Sequence, residues 1–325
     1  MRLLTRDQRI RPAPSAGRMH VLALILAAAC WGGGTAISKQ AVAEVPPLTL
    51  LAAQLAVSVL FLMVVTRVRG DRMPTGREGR LLGRLGLLNP GLAYALSLIG
   101  LTSITASLSV LLWAAEPIFI LVLATVVLGE RIGVGLLIPS AVAIVGLALI
   151  LFDPAASGSI AGIALTITGV VACAIYTVAA RRWLLGSDST LGIVLAQQMH
   201  ALAFAAVAVA VVAVAGGEVV PAGVSSGAIA SALVSGLMYY AFAYSLYIWA
   251  LRSVRASVAA ASFYLIPVFG VALGFAFGER LQPLQWVGAV VVVASVAVIT
   301  IRAAQPSRAA ASAQIAATPS RSRVP

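Results

Sequence analysis

One apolar stretch, Thr105 to Arg131 (TASLSVLLWAAEPIFILVLATVVLGER), is written again about 150 positions later as RASVAAASFYLIPVFGVALGFAFGER, Arg255 to Arg280. Each copy is long enough to cross the roughly 30 Å hydrocarbon core of a bilayer as a helix. Shifted by 150 residues, ten of the 31 positions from Ala93 to Leu123 are identical, among them Tyr94/Tyr244, Ser107/Ser257, Pro117/Pro267 and Phe119/Phe269. Chance in so apolar a composition gives roughly three or four such matches, so the chain contains an internal duplication. It must fold as two copies of one unit, and each copy carries a helix breaker near the centre of an apolar span.

Composition names the solvent. Hydrophobic residues make up 61% of the 325 and charged residues only 10%, too few to coat a water-soluble domain. Lipid must therefore surround most of the chain. The net charge of +12 does not indicate nucleic acid, because the basic residues sit at span ends and in the tails, where they set membrane orientation. Cys30 and Cys173 both fall inside apolar runs, and no disulfide or metal framework is expected. The preponderance of Arg over Lys, with abundant Ala and Val, fits a GC-rich bacterial genome.

The arginine-rich start followed by Val21–Cys30 imitates a signal peptide. The apolar run continues through Trp31 to Ser38, however, and an Ala172-Cys173 pair recurs deep inside the second half, where no signal could lie. The first run is read as a permanent helix. Apolar runs separated by turn or charge signals predict ten spans, near 20–38, 48–66, 81–100, 105–128, 132–151, 160–180, 190–214, 226–250, 256–277 and 283–301. The organisation expected is a cytoplasmic arm over 1–19, five-helix repeats over 20–151 and 160–301, and a disordered cytoplasmic tail over 302–325.

With a cytoplasmic N-terminus, ten spans place 20 of the 22 basic residues on the cytoplasmic side. Glu44, Asp153, Glu218 and Glu279 fall on the other face, with Lys39 and Arg280. Nine or eleven spans would destroy that alternation. Five spans per copy is an odd number, so the second copy must enter the membrane upside down. The fold class expected is an all-α membrane protein of ten transmembrane helices in two inverted five-helix repeats, with both termini cytoplasmic. Inverted repeats are a recurring design of secondary transporters, in which solute binds between the halves.

The pattern AACWGGGTAISKQ (Ala28–Gln40) followed by VPPLTLLAAQ, and the paired P-x-F segments that end in Gly-Glu-Arg, resemble the EamA-type drug/metabolite transporters. The resemblance spans about residues 20–301 and implies ten helices that export or exchange small metabolites, often amino acids or related compounds, in a bacterial plasma (inner) membrane. Where many relatives carry Arg after the double proline, this chain has Gln54, which weighs against an anionic solute.

Glu116 is the sharpest candidate for chemistry. A carboxylate near mid-bilayer costs a few kcal/mol even on lenient insertion scales, so it should face a cavity or a partner, and it could carry a coupling proton. Thr105, Ser109, Trp113 and Glu116 share a helical face. The second copy has Ile266 at the carboxylate's place, so the symmetry breaks there. Pro117 and Pro267 should interrupt their helices by freeing the carbonyls of Trp113 and Phe263, the best sequence pointer to a transporter site. Packed structural kinks and a permanently hydrogen-bonded Glu are the plainer alternatives.

Tyr240, Tyr244 and Tyr247 lie on one helical face. Tyr240 and Tyr244 are expected to line the cavity with Tyr94, whereas Tyr247 and Trp249 read as interfacial belt residues. Asn89, Gln197 and His200 are further polar groups within spans; for His200 a hydrogen-bonded structural role outweighs a proton relay. Trp31, beside Gly32-Gly33-Gly34, is placed to close over a solute. The two Gly-Glu-Arg triplets read as helix-terminating turns with local ion pairs.

These residues predict a secondary transporter of small organic metabolites or drugs, an exporter working by alternating access and proton-coupled through Glu116. Its expected partners are solute, bilayer and protons, with no cofactor and with a monomeric or homodimeric assembly. An uncoupled facilitator is the alternative within that class. A membrane scaffold would not need the carboxylate, and an intramembrane enzyme would need motifs that are missing, such as HExxH or a nucleophile elbow. No phosphate-binding loop is present to couple ATP.

Overall fold

The computed structural model describes residues 18–304 except 43, 102, 105–111, 114, 131, 151–157, 185–188, 218–222 and 277–281. The expected arm and most of the expected tail lie outside them, as do Thr105, Ser109, Arg131, Asp153, Glu218, Glu279 and Arg280. Apart from one isolated β-bridge, Ile104 to Gly158, the described residues are helical or irregular.

The first half contains α1 (Arg18–Val42) and α2 (Pro47–Arg69), then α3 (Gly76–Gly86) joined across a kink (Leu87–Leu92), where Asn89 leaves the helical region at φ −148° and ψ 123°, to α4 (Ala93–Leu101). It ends with α5 (Glu116–Leu128) and α6 (Val134–Ile150). The second half repeats the order: α7 (Ile160–Trp183), α8 (Thr190–Val214), then α9 (Ser226–Gly236), a π-helical turn (Leu237–Phe242) and α10 (Ala243–Leu251). α11 (Ala256–Ala261), a 3-10 turn (Ser262–Tyr264), α12 (Leu265–Ala276) and α13 (Pro283–Ala304) complete it.

The boundaries follow from local chemistry. Pro47 opens α2, where its fixed φ suits a first turn and its missing N–H costs nothing. Gly70 and Gly129 stop α2 and α5 in the left-handed region, with φ of 69° and 65°. Ser159, Ser189 and Ser225 cap α7, α8 and α9, each Oγ accepting the N–H three residues on at 3.0–3.1 Å. Among the described residues, four helices have the length and apolarity to cross a membrane: Pro47–Arg69, Ile160–Trp183, Thr190–Val214 and the bent pair Ser226–Leu251. Shorter apolar helices surround them. Large apolar side chains such as Val126, Val214 and Val290 stand exposed on the outer surface, as lipid contact requires.

The packing carries the duplication into three dimensions. α1 packs on α10 and α12, and its counterpart α7 packs on α4 and α5. α3 meets α8 as α9 meets α2, while the equivalent pairs α2/α8 and α6/α13 pack on each other. Along α6 and α13 the contacts run from Gly135 beside Arg302, through Gly146 beside Gly288 and Val291, to Ile150, whose carbonyl accepts from Gln285 Nε2 at 3.1 Å. Equivalent helices are therefore antiparallel, the arrangement that oppositely oriented copies produce. The main core lies where α1, α2, α7, α8 and α10 meet.

Two irregularities recur at matched positions. The kink at Leu87–Leu92 and the π-helical turn at Leu237–Phe242 are 150 residues apart, alike in position though not in form. The fourth and ninth predicted spans are also broken alike. α5 starts only at Glu116 with Pro117 in its first turn, and α12 starts at Leu265 with Pro267 in its first turn, after the 3-10 turn. The prolines thus sit at helix starts, where a missing N–H is harmless, rather than at kinks inside continuous helices.

Candidate solute and proton site

Glu116 is the first residue of α5 and is buried, as is Pro117. α5 packs on α7, which brings the Cys173 thiol within electrostatic reach of the Glu116 carboxyl. Among the described residues Glu116 Oε1 has no hydrogen-bond partner. A buried acceptor left open is expensive. Ala115 N bonds to Leu112 O at 3.1 Å, and Ile118 N and Phe119 N both turn to Ala115 O, which isolates the Trp113 turn from α5.

A connected set of aromatic rings adjoins the carboxyl. Trp31 from α1 meets Tyr244, Tyr247 and Phe263 edge-on, with centroids 5.5, 5.4 and 5.5 Å away. Tyr94 meets Trp113 at 5.5 Å and Tyr239 at 5.7 Å, and its hydroxyl donates to the Tyr239 hydroxyl at 3.2 Å. Tyr240 links the two groups, lying 6.1 Å from Tyr94 and 6.2 Å from Tyr244, on which it stacks. Both halves contribute rings, and Tyr239 and Tyr247 lie within electrostatic reach of Glu116. Among the described residues the Trp31 indole Nε1 is likewise buried without a hydrogen-bond partner.

The close approach of α1 that makes this possible depends on Gly32. A Cβ there would overlap the Ile266 carbonyl oxygen and come within 2.8 Å of Gly270 N. The glycine lets α1 lie directly against the broken start of α12.

Polar side chains brace the aromatic set across the two halves. The Tyr244 hydroxyl donates to Asn89 Oδ1 at 3.1 Å, and the Tyr176 hydroxyl donates to Gln197 Oε1 at 2.9 Å. Gln197 Nε2 in turn donates to Leu82 O. Gln198 accepts from Ser58 and donates to Tyr240 O at 2.6 Å. Gln54 donates to Ser38 Oγ at 3.1 Å and Ser235 Oγ at 2.7 Å, so its amide is spent on joining α1, α2 and α9.

Of the residues singled out from sequence, Glu116, Trp113, Trp31, Tyr94, Tyr240, Tyr244 and Phe263 come together, with Asn89 bonded to the set. Gln197 holds Tyr176 from behind. His200 lies apart, its Nδ1 2.7 Å from Ala196 O in its own helix. Tyr247 differs from expectation. It is 1% exposed, faces Trp31, and donates to Thr177 Oγ1 at 3.2 Å rather than sitting in an interfacial belt. Trp249 does lie at the periphery, 38% exposed and stacked on His20.

Tyr176, Tyr239 and Cys173 escaped the sequence reading. Tyr239 is off the 240/244/247 face on a regular helix, but it lies in the π-helical turn, where residues five apart align, and its ring meets Tyr94 and Tyr240. The 150-residue equivalence of Tyr239 with Asn89 was the available signal. Gly129 ends α5 as expected, and the local pair with Arg131 lies outside the described residues, but Glu130 does more than turn. Glu130 accepts from the Ala256 N–H at 2.9 Å, the Ser257 N–H at 3.2 Å and the Ser257 hydroxyl, so it caps α11 of the opposite half.

Two comparisons bear on this architecture. The EamA-like transporter family model matches residues 18–152 and again 160–301. A solved crystal structure of a protein that is 18% identical aligns with a TM-score of 0.73, covering 89% of this chain and 97% of that one. No curated protein matches the sequence.

Proposed function

Since the chain belongs to the EamA-like transporter family, we propose that it is a proton-coupled secondary transporter that exports small organic solutes by alternating access. Its ten membrane spans would form two inverted five-helix halves in a bacterial plasma membrane, with both termini cytoplasmic. The observation that carries this reading is Glu116, buried at the start of a broken helix with one carboxyl oxygen unpartnered, beside rings supplied by both halves. A group this costly is retained where it exchanges something.

The broken helices α5 and α11–α12 stand at equivalent points of the two halves, which is how inverted-repeat transporters hold their solute. Rocking of one half against the other would open the aromatic set to one side at a time. Protonation of Glu116 when empty, and release of that proton to admit solute, would couple the two movements.

The test is flux in vesicles reconstituted with purified protein, loaded with a cell metabolite extract and given an imposed pH gradient. The proposal predicts solute efflux driven by the gradient in the wild type, and efflux that ignores the gradient in Glu116→Gln. Gradient-driven efflux that persists in the mutant would remove Glu116 from coupling. Efflux indifferent to pH in both proteins would make the protein a facilitator.

A further inference from the structure

The charge balance of the site says which solutes it takes. Glu116 is the one acid against the ring set among the described residues, and no described cationic side chain lies there. The described arginines lie near helix ends; Arg181, for example, is held near the end of α7, where its guanidinium donates to Arg252 O at 2.7 Å. An anion would therefore meet an acid and no counter-charge. A zwitterion would bury its carboxylate without a partner, and a neutral solute would leave Glu116 uncompensated once it gives up its proton.

A cation meets the opposite conditions. Ring faces attract positive charge, most strongly when water is excluded, and Trp and Tyr do so best. Trp31, Tyr94, Trp113, Tyr239, Tyr244 and Tyr247 bring such rings into one connected cluster. The two unpartnered atoms add a second requirement. Glu116 Oε1 is an acceptor awaiting a donor or a charge, and Trp31 Nε1 is a donor awaiting an acceptor. We propose that the site binds an organic monocation, an amine or quaternary ammonium that also carries a hydrogen-bond acceptor such as a hydroxyl, with Glu116 matching the charge and Trp31 the acceptor. This inference rests on the transporter reading and narrows its substrate class.

The measurement is binding to purified, detergent-solubilised full-length protein, followed by tryptophan fluorescence. Three probes of one shape are compared: choline, its uncharged carbon isostere 3,3-dimethylbutanol, and the zwitterion trimethylglycine. The expected result is that choline binds at least about tenfold tighter than either, as desolvated cation–π and charge pairing together require. In Glu116→Gln that preference should fall to within about twofold, and in Trp31→Phe choline should lose its advantage over tetramethylammonium, which has no hydroxyl. Equal affinity for choline and 3,3-dimethylbutanol in the wild type would overturn the inference, as would trimethylglycine binding as tightly as choline. The wild-type comparison decides the matter even if a variant fails to fold. Vesicle efflux of extract metabolites without any charge preference would leave the transporter standing and sink the cation site alone. Charge-selective binding with no efflux of any solute would do the reverse.

Discussion

Glu130→Ala should loosen the contact between the two halves at the ends of α5 and α11. The wild-type carboxylate accepts from Ala256 N, Ser257 N and the Ser257 hydroxyl, so one side chain satisfies two of the orphan donors at a helix start. A capping side chain contributes about 1 kcal/mol. Its negative charge at a helix N-terminus adds about 0.3–1 kcal/mol, and the charge-assisted bond to the Ser257 hydroxyl brings the total to roughly 3 kcal/mol. Glu130→Gln keeps one good acceptor and loses the charge, which should cost about half of that. Thermal unfolding of the purified protein in detergent is the assay, with a melting temperature about 5 °C or more lower for the Ala variant and an intermediate fall for the Gln variant. Melting curves that superimpose on the wild type would refute the cap as a structural tie. A Gln variant that melts with the wild type would show that charge has no part in it, and one as damaged as the Ala variant would assign the whole tie to the charge.

Glu44 accepts from the Ser225 N–H and hydroxyl, both at 2.7 Å, and these bonds hold its carboxyl below the usual carboxylate range. A depressed folded-state value means the stabilisation is present above the unfolded carboxyl value and is lost as pH falls through the folded one. Melting of the wild type and Glu44→Gln should therefore differ at neutral pH and converge in acid below pH of about 4. Gln198→Leu leaves the Ser58 hydroxyl and the Tyr240 carbonyl unpartnered in a buried setting, and it should destabilise by about 2–4 kcal/mol in the same melting assay. Gly32→Val forces side-chain atoms into the backbone of α12 at Ile266 and Gly270. It should abolish vesicle flux or folding outright, whereas Gly70→Val, with nothing within 4 Å of a Cβ, should cost only the about 1–2 kcal/mol of a strained left-handed residue.

The larger design was legible because it rests on periodic, local signals. Apolar run length placed the helices, and the 150-residue echo foretold two like halves whose breaks coincide, as Glu116 and Leu265 now show at the starts of α5 and α12. Glu116 stood out because a carboxylate in an apolar run has no cheap explanation. Long-range choices were less visible. Glu130 was read as turning on itself, yet it reaches 126 residues onward in sequence to Ala256; spacing cannot distinguish a local ion pair from a cap on a distant helix. Tyr239 and Tyr247 were missed for different reasons. A π-helical turn resets the angular count that places Tyr239, and burial of Tyr247 against Trp31 and Thr177 depends on α1 and α7, which lie far away in sequence. The Cys173 thiol likewise meets Glu116 only through the packing of α7 on α5.

The measurement that bears most directly on the central claim is reaction of the intact protein in membranes with dicyclohexylcarbodiimide, an apolar reagent that adds to protonated carboxyls shielded from water. If Glu116 is a proton-exchanging group within a solute site, peptide mass spectrometry should find it as the dominant adduct, diminished when choline is present and absent in Glu116→Gln. Labelling that spares Glu116 while modifying Glu44, Glu78 or Glu130 would contradict the account.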